Sequence, residues 1–166
     1  MRFGIIGLGN IGRRVADIAS CFGADVVYYS TSGSPEQEGY HQVDFDTLLS
    51  TSDIISIHAP LNSNTEGLIN TKALEKMKSS AILLNLGRGP IVVEQDLADA
   101  LKKGTIAAAG LDVLCQEPMS ADNPLFDIRD SKKLLITPHV AWAAVESRTR
   151  LMEIIHGQIK EFFSAS

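Results

Sequence analysis

Short, continuous apolar runs alternate along this chain with longer amphipathic stretches. The apolar runs predict six strands, at residues 3–6, 25–29, 54–57, 81–84, 106–111 and 134–136. The stretches between them predict helices at residues 10–22, 45–50, 71–78, 94–103 and 144–163. Strands that are apolar throughout are typical of a parallel sheet covered on both faces. The pattern predicts an α/β fold with a doubly wound parallel sheet, in a single domain over residues 1–166.

Three glycines stand between the first predicted strand and the first predicted helix. Gly7, Gly9 and Gly12 have the spacing GxGxxG, in which the glycines allow a tight turn, the approach of a pyrophosphate and close packing of the helix. The start of the helix would present free N–H groups and a partial positive charge to the phosphates. The alternative is a tight turn without a ligand. The strand-loop-helix context favours a Rossmann-type dinucleotide-binding domain.

Composition excludes several classes of partner. With 15 Lys and Arg against 20 Asp and Glu, the net charge is −5, which argues against nucleic acid or an anionic membrane as the main partner. No apolar run approaches the roughly 18 residues of a spanning helix. The cysteines, Cys21 and Cys115, form no disulfide framework, so we expect a reducing, cytoplasmic compartment. We expect Cys21 to be packed on a helix face, Cys115 to be an apolar filler, and no metal site.

The end of the second predicted strand is where a dinucleotide site reads the adenosine ribose. Ser30 stands there, in a neighbourhood without a carboxylate, and the chain has no Lys or Arg between Arg14 and Lys72. Because the neighbourhood has no carboxylate, nothing there would repel the 2′-phosphate of NADP. Because it has no Lys or Arg, nothing there would attract that phosphate either. We expect NAD, with NADP left open.

Polar side chains follow the carboxyl ends of the later strands, where a doubly wound sheet binds its ligands. Arg88, Glu117 and His139 form a set that suits hydride transfer at a carbonyl. Each also has a structural interpretation: a solvated loop residue, the start of a turn and a hydrogen-bonding histidine. His58 is expected to be structural or to line the groove near the adenine.

Several ordered motifs resemble the NAD-binding domain of the D-isomer-specific 2-hydroxyacid dehydrogenases, over essentially the whole chain. They are GxGxIG at 7–12, PLxxxTxGLI at 60–69, NxxRG at 85–89, GLDVxxxEP at 110–118, NPL at 123–125 and TPH at 137–139. The resemblance implies an oxidoreductase that transfers a hydride between a nicotinamide cofactor and a small D-2-hydroxy acid or 2-oxo acid. It implies a homodimer as well.

The resemblance also assigns roles to the polar residues. Arg88 would bind the substrate carboxylate and carbonyl oxygen. His139 would be the general acid in reduction and the general base in oxidation. Glu117 would hydrogen-bond His139 and stabilise its charged form.

The cofactor-binding residues follow from the same resemblance. Asp112 would hold the nicotinamide carboxamide. Asn10 and Ile11 would offer backbone N–H groups to the pyrophosphate. Pro60 and Thr65 would line the cofactor groove.

The chain departs from the family pattern at two positions. Ser30 replaces the ribose-binding Asp that is common in NAD-using members. Trp142 stands where many members have Gly, and its indole would narrow the pocket and favour a small substrate of the hydroxypyruvate or glycerate type. The alternative is that Trp142 packs against another domain.

A larger departure is that we expect the family's substrate domain to be absent from this chain, which would then be either an excised domain or a truncated gene product. We therefore expect the isolated chain to bind dinucleotide and to turn over 2-oxo acids poorly. Two other interpretations stay open: a dinucleotide-sensing module similar to the family's co-repressors, and a Rossmann-type domain of another enzyme class.

Overall fold

The computed structural model describes residues 1–164, which form a seven-stranded sheet flanked by helices. The strands are β1 (Arg2–Ile6), β2 (Asp25–Tyr29), β3 (His41–Gln42), β4 (Ile54–Ile57), β5 (Ile82–Asn85), β6 (Ala108–Leu111) and β7 (Leu134–Ile136). The helices are α1 (Asn10–Cys21), α2 (Phe45–Thr51), α3 (Thr71–Lys76), α4 (Glu94–Lys103) and α5 (Val145–Ser164). All pairings are parallel, in the order β3-β2-β1-β4-β5-β6-β7. The predicted doubly wound Rossmann-type sheet is confirmed.

The order of the strands reverses between β1 and β4, which places the ligand crevice beyond their carboxyl ends. The loops that follow β1 and β4 therefore meet at one edge of the sheet. All six predicted strands are present, with boundaries shifted by at most two residues. Strand β3 was not predicted, because His41 and Gln42 form no apolar run and pair with β2 through their backbones.

The core lies mainly on one face of the sheet, against α2, α3 and α4. Strand side chains alternate between the faces, so Ile6 packs into the large cluster with Leu48 and Leu97, whereas Ile5 packs into a small one with Ala16 of α1. The second face is less covered than predicted: Leu135 of β7 remains 67% exposed. Helix α1 covers this face beside β1 and β2, where it makes its strand contacts.

The helical spacing of Ile11, Val15, Ile18, Ala19 and Phe22 predicts that these residues form the buried face of α1, but the face that contacts the sheet is a different one. Ile11, Ile18 and Phe22 are exposed, and Gly12 and Ala16 are the buried residues. A Cβ at position 12 would overlap the carbonyl oxygen of Gly7, so the helix can lie this close only with glycine there. That approach turns positions 12 and 16 inward and the larger side chains outward. The prediction that Cys21 is packed is also wrong, since it is exposed.

The helical spacing of Leu151, Ile154, Ile155, Ile159 and Phe162 predicts an apolar stripe on the last helix, but α5 buries none of its residues. Leu151, Ile154, Ile155 and Ile159 all remain exposed within the described part of the chain. Its side chains are also too often charged for a bilayer, and none of the helices in residues 1–164 combines the length and apolarity needed to cross a membrane.

Replacing Ile55 tests which side chains hold the sheet together. Ile55 lies in β4 and is completely buried, whereas Ile18 of α1 is 58% exposed. We expect Ile55→Ala to lower the free energy of unfolding by about 2–5 kcal/mol, because it leaves a cavity. The control Ile18→Ala should change it by less than about 0.5 kcal/mol. Urea denaturation measures both, and equal losses would show that α1 packs through Ile18.

Candidate functional site

The three glycines of the β1–α1 loop have different roles. Gly7 has φ of +92°, and a Cβ there would lie 2.8 Å from the backbone of Ala59 in the loop after β4. Gly12 is required by the packing of α1. Gly9, in contrast, is exposed, has an ordinary backbone conformation and would place a Cβ in open space. The fold therefore needs Gly7 and Gly12, whereas nothing in the described fold itself requires a glycine at position 9.

The start of α1 fits an anionic ligand. No side chain caps the helix at Gly9, and its first turn contains no acidic residue. The N–H groups of Asn10, Ile11 and Gly12 lie in the first turn, where an α-helix supplies no partner. Together with the helix dipole, these groups suit a pyrophosphate such as that of NAD.

A cavity of about 500 Å³ extends from this loop to the end of β2, and Gly7, Gly9, Ser30, His58 and Pro60 line it. The Ser30 hydroxyl accepts a hydrogen bond from the Ser34 N–H and lies 3.3 Å from the Ser32 hydroxyl. The cavity thus has a hydroxyl-rich wall where the sequence placed the adenosine ribose.

A neighbouring cavity shares Ser30 and also contains two carboxylates. Glu36 and Asp44 line it, and no Lys or Arg lines either cavity. Hydrogen bonds from Thr47 hold the pKa of the Asp44 carboxyl below its usual value, so it is ionised at neutral pH. These carboxylates lie outside the short window after β2, which explains why the sequence did not point to them.

His58 lies between the two ends of the crevice. It lines the cavity of the glycine loop and a second cavity of about 430 Å³ that contains Ile11, Pro60 and Arg88. Burial lowers the pKa of His58, and its Nε2 lies 2.9 Å from the buried Ser56 hydroxyl. A neutral imidazole therefore faces the groove from the carboxyl end of β4.

Thr65 does not line the groove, contrary to the prediction. It is completely buried, and its hydroxyl donates to the Pro60 carbonyl oxygen at 2.6 Å and accepts from the Asn62 N–H at 2.9 Å. It fixes the shape of the loop behind Pro60. Asn62 and Asn64 line the cavity instead.

Arg88 is exposed at the end of the loop after β5. Its guanidinium donates to the Gly87 carbonyl oxygen at 2.8 Å, and it forms no ion pair with any residue that the structure describes. The buried Asn85 shapes this loop, because its side chain donates to the Arg88 carbonyl oxygen and accepts from the Gly87 N–H. The Arg88 guanidinium can therefore bind an anionic group of a ligand.

Glu117 and His139 form a hydrogen-bonded pair at the other side of the rim. The Glu117 Oε2 lies 2.8 Å from His139 Nδ1, and both side chains are more than a third exposed. The Leu114 N–H donates to Glu117 Oε1, and this bond and the bond with His139 lower the pKa of Glu117. An ionised carboxylate accepts the Nδ1 proton, which leaves Nε2 to face a ligand.

Asp112 holds the segment that carries His139. Its carboxylate accepts hydrogen bonds from the Thr137 hydroxyl and from the N–H groups of Val140 and Ala141. His139 has φ of +53°, which is unusual for a residue with a side chain, and its N–H donates to the Asp112 carbonyl oxygen. The hydrogen bonds that the Asp112 carboxylate accepts within the described chain thus all come from this loop.

Gly89 joins the Arg88 loop to the Glu117 loop. A Cβ at Gly89 would overlap the backbone of Leu114, the residue whose N–H binds Glu117. Arg88 and His139 line different cavities, and the second, of about 360 Å³, also contains Asp112 and Glu117. The three predicted catalytic residues therefore lie on loops that touch, although no one cavity contains them all.

The sequence did not assign roles to the residues that orient this site. Asn85 and Thr137 belong to motifs already noted, but only their burial and hydrogen bonds show what they position. Cys115 is exposed as a residue, yet burial of its thiol and the nearby Glu94 raise its pKa to about 11. Within residues 1–164 no group of three or more His, Cys, Asp or Glu side chains is placed to hold a metal ion.

These features define a dinucleotide-binding domain with an acid–base pair at its rim. The chain belongs to the D-isomer specific 2-hydroxyacid dehydrogenases, and residues 1–141 match the NAD binding domain of that family. The resemblance seen in the sequence motifs is confirmed. The residues present fit the dinucleotide that this domain binds.

Similar proteins include a hydroxypyruvate reductase, a glycerate dehydrogenase and a D-lactate dehydrogenase. The chain is 47% identical over 98% of its length to a hydroxypyruvate reductase of Blautia hydrogenotrophica, of which it covers 50%. It is 42% identical over 96% of its length to a glycerate dehydrogenase of Methylorubrum extorquens, of which it covers 49%. The structure resembles a D-lactate dehydrogenase from Aquifex aeolicus complexed with NAD and lactic acid, with a TM-score of 0.91, 29% identity and coverage of 99% and 54%. The chain spans about half the length of the curated relatives it matches.

Replacing Asp112 with Asn tests how the His139 segment is held. Burial alone would raise the pKa of Asp112, but the hydrogen bonds from Thr137, Ala141 and Val140 outweigh it and leave the pKa below its usual value. Stabilisation by the carboxylate is then complete above the unfolded-state pKa, near 3.9, and is lost as the pH falls through the folded-state pKa. We expect Asp112→Asn to cost about 1.5–3 kcal/mol at pH 6 and less at pH 3.

Urea denaturation at several pH values between 6 and 3 measures this difference. The matched control is Asp127→Asn, because Asp127 is exposed and its carboxylate accepts no hydrogen bond from another residue within residues 1–164. If the free energies of unfolding of the unmodified chain and of Asp112→Asn differ by the same amount across this pH range, the Asp112 carboxylate does not hold the His139 segment as assigned.

Proposed function

We propose that this chain is the cofactor-binding part of a dehydrogenase that interconverts a small 2-oxo acid and its D-2-hydroxy acid. The observation that carries the proposal is the Glu117–His139 pair, on the same rim as the glycine loop and Arg88, which forms no ion pair within residues 1–164. The family supports the class of reaction. The chain covers only about half of the length of its curated relatives. The activity of a complete enzyme is therefore proposed for it.

The nicotinamide supplies or accepts the hydride when the cofactor is bound. In reduction, His139 gives the proton on Nε2 to the oxygen of the former carbonyl group, and in oxidation it removes the hydroxyl proton. Glu117 stays ionised and keeps the ring oriented through Nδ1. Arg88 holds the substrate carboxylate and stabilises the negative charge that develops on the carbonyl oxygen.

We infer that NAD is preferred over NADP. A 2′-phosphate at the end of β2 would meet the Ser30 hydroxyl and the carboxylates of Glu36 and Asp44, and no lining cation would offset its charge. Glu36 and Asp44 would therefore repel the 2′-phosphate, as the ribose-binding Asp does in family members that have it. Asp112 is assigned to the nicotinamide carboxamide by the family resemblance.

Hydroxypyruvate and glycerate are the substrates we propose. Trp142 is 54% exposed just beyond His139, where its indole would narrow the space available to a substrate side chain. The names of the Blautia and Methylorubrum relatives support this choice.

A substrate domain, a homodimer and a cytoplasmic location belong to the same proposal. The exposed apolar side chains of α5, together with Ile18 and Phe22 of α1, support contact with further protein. The two cysteines are free and exposed, which is consistent with a reducing compartment.

The Gly9→Val variant tests whether the loop binds a dinucleotide. The fold has room for a side chain at position 9, so we expect the unfolding midpoint to change little. Affinity for NADH, measured by calorimetric titration, should fall at least about tenfold, because the added side chain competes with the pyrophosphate. A parallel titration with NADPH should show weaker binding to the unmodified chain. Unchanged NADH binding by Gly9→Val, or tighter binding of NADPH, would contradict the respective assignment.

A steady-state assay with hydroxypyruvate and NADH tests the catalytic assignment. We expect the isolated chain to turn over slowly or not at all, because Arg88 and His139 line a rim with no opposing wall among the described residues. Any turnover that is detected should fall by about 10²-fold or more in His139→Gln, which lacks a group that exchanges the proton. Turnover by the isolated chain at the rate of an ordinary dehydrogenase would refute the first expectation, and His139→Gln with full activity would refute the second.

A further inference from the structure

Glu94 connects the helix after the Arg88 loop to the loop that contains Glu117. It is the first residue of α4, and both oxygens of its carboxylate are hydrogen-bonded away from the helix. Oε1 accepts from the Cys115 N–H at 2.8 Å, and Oε2 accepts from the Asn123 side-chain amide at 2.9 Å. The reaction described above assigns no role to this residue.

The two contacts hold the loop at both of its ends. At one end, the N–H of Leu114 binds Glu117 and the next N–H along the chain, that of Cys115, binds Glu94. At the other end, Asn123 Oδ1 accepts from the Leu125 N–H, and Leu125 is completely buried. Glu117 lies between these two points.

The backbone around Leu114 has little freedom to move once both contacts are made. Gly89 already presses against it from the Arg88 side, so the Cys115–Glu94 bond fixes it from a second direction. Because the Leu114 N–H is the partner of Glu117 Oε1, the direction of the Glu117 carboxylate follows from this arrangement.

We propose that Glu94 is a positioning residue that orients Glu117, and through it the His139 ring, by holding the Leu114–Asn123 segment. The catalytic consequence rests on the proposed function, but the positioning itself does not. The competing explanation is that Glu94 acts only as a negative charge at the start of α4, which stabilises a helix wherever the loop lies.

A reciprocal exchange of donor and acceptor separates these explanations. Glu94→Gln places an amide N–H₂ opposite the Asn123 amide, so two donors meet. Asn123→Asp places two carboxylates opposite each other. In the double variant, the new amide at position 94 donates to the new carboxylate at position 123. The amide oxygen still accepts from the Cys115 N–H, and the carboxylate still accepts from the Leu125 N–H. The double variant therefore moves the negative charge from position 94 to position 123 and restores the contact.

The main measurement is the tautomer of the His139 ring at pH 9, from ¹⁵N NMR detected through the carbon-bound ring protons. Acceptance of the Nδ1 proton by Glu117 favours the Nδ1–H tautomer. We expect this tautomer to predominate in the unmodified chain, to lose its majority in each single variant and to regain it in the double variant. His139→Gln identifies the signals, and Glu75→Gln, at an exposed position on α3, is the matched control.

Alkylation of Cys115 provides a second readout that requires no catalysis. The charge of Glu94 and its contact contribute to the raised pKa of this thiol, although burial is the larger cause. We expect Glu94→Gln to speed iodoacetamide labelling of Cys115 by about 3- to 10-fold at pH 9, relative to Cys21 in the same chain. Circular dichroism shows that each variant is folded, and if Glu94→Gln is not, Asn123→Asp and the double variant carry the test.

The proposal is overturned if the double variant keeps the tautomer ratio of the single variants, or if Glu94→Gln leaves both readouts equal to those of Glu75→Gln. Failure of the proposed dehydrogenase function would be a separate result. In that case the chain would not bind NADH, but the double variant would still regain the Nδ1–H tautomer of His139. Restoration together with NADH binding supports both.

Discussion

Gly7 lies so close to the backbone of Ala59 that no side chain fits between them, and this contact determines the rest of the cofactor crevice. It joins the loop after β1 to the loop after β4, at the point where the strand order reverses. The approach of Gly12 to Gly7 then sets the angle at which α1 leaves the loop. As a result, the start of α1, His58 and Pro60 face one groove.

A second set of contacts builds the polar rim that contains Arg88, Glu117 and His139 from loops that are far apart in sequence. Asp112 holds the segment after β7, Asn85 shapes the Arg88 loop, and Gly89 brings that loop against Leu114. Each contact fixes the position of a polar side chain on a loop, which the strands alone would not determine. The charges on this rim are separated: Arg88 is unpaired among the described residues, whereas Glu117 is committed to His139.

Much of the fold followed from hydrophobic pattern, because a strand buried on both faces must be apolar throughout. Where packing depends on shape, the pattern was misleading. The apolar stripe of α1 pointed to Ile18 as a core residue, but the close approach allowed by Gly12 buries Ala16 instead. The short strand β3 was missed for the opposite reason, since it is held by backbone pairing and contains no apolar side chain.

The candidate site shows the same division. Arg88, Glu117 and His139 were identified as residue types after strand ends, and their motif spacing identified the family. Thr65 also belongs to one of those motifs, yet it is buried and holds the loop that carries Pro60 into the groove. Motif membership therefore does not distinguish a residue that faces the ligand from one that supports it.

The sequence by itself determined most of the order of strands and helices, the dinucleotide loop and the residues proposed for acid–base chemistry, because these depend on local pattern and residue chemistry. Tertiary structure alone decided which ring nitrogen of His139 Glu117 meets, that carboxylates stand near Ser30, and that Glu94 spans two loops. Each of these depends on distances between segments separated by 20 or more residues, or on which way a loop turns. Neither is encoded in spacing along the chain, since the sheet and its close backbone contacts set both.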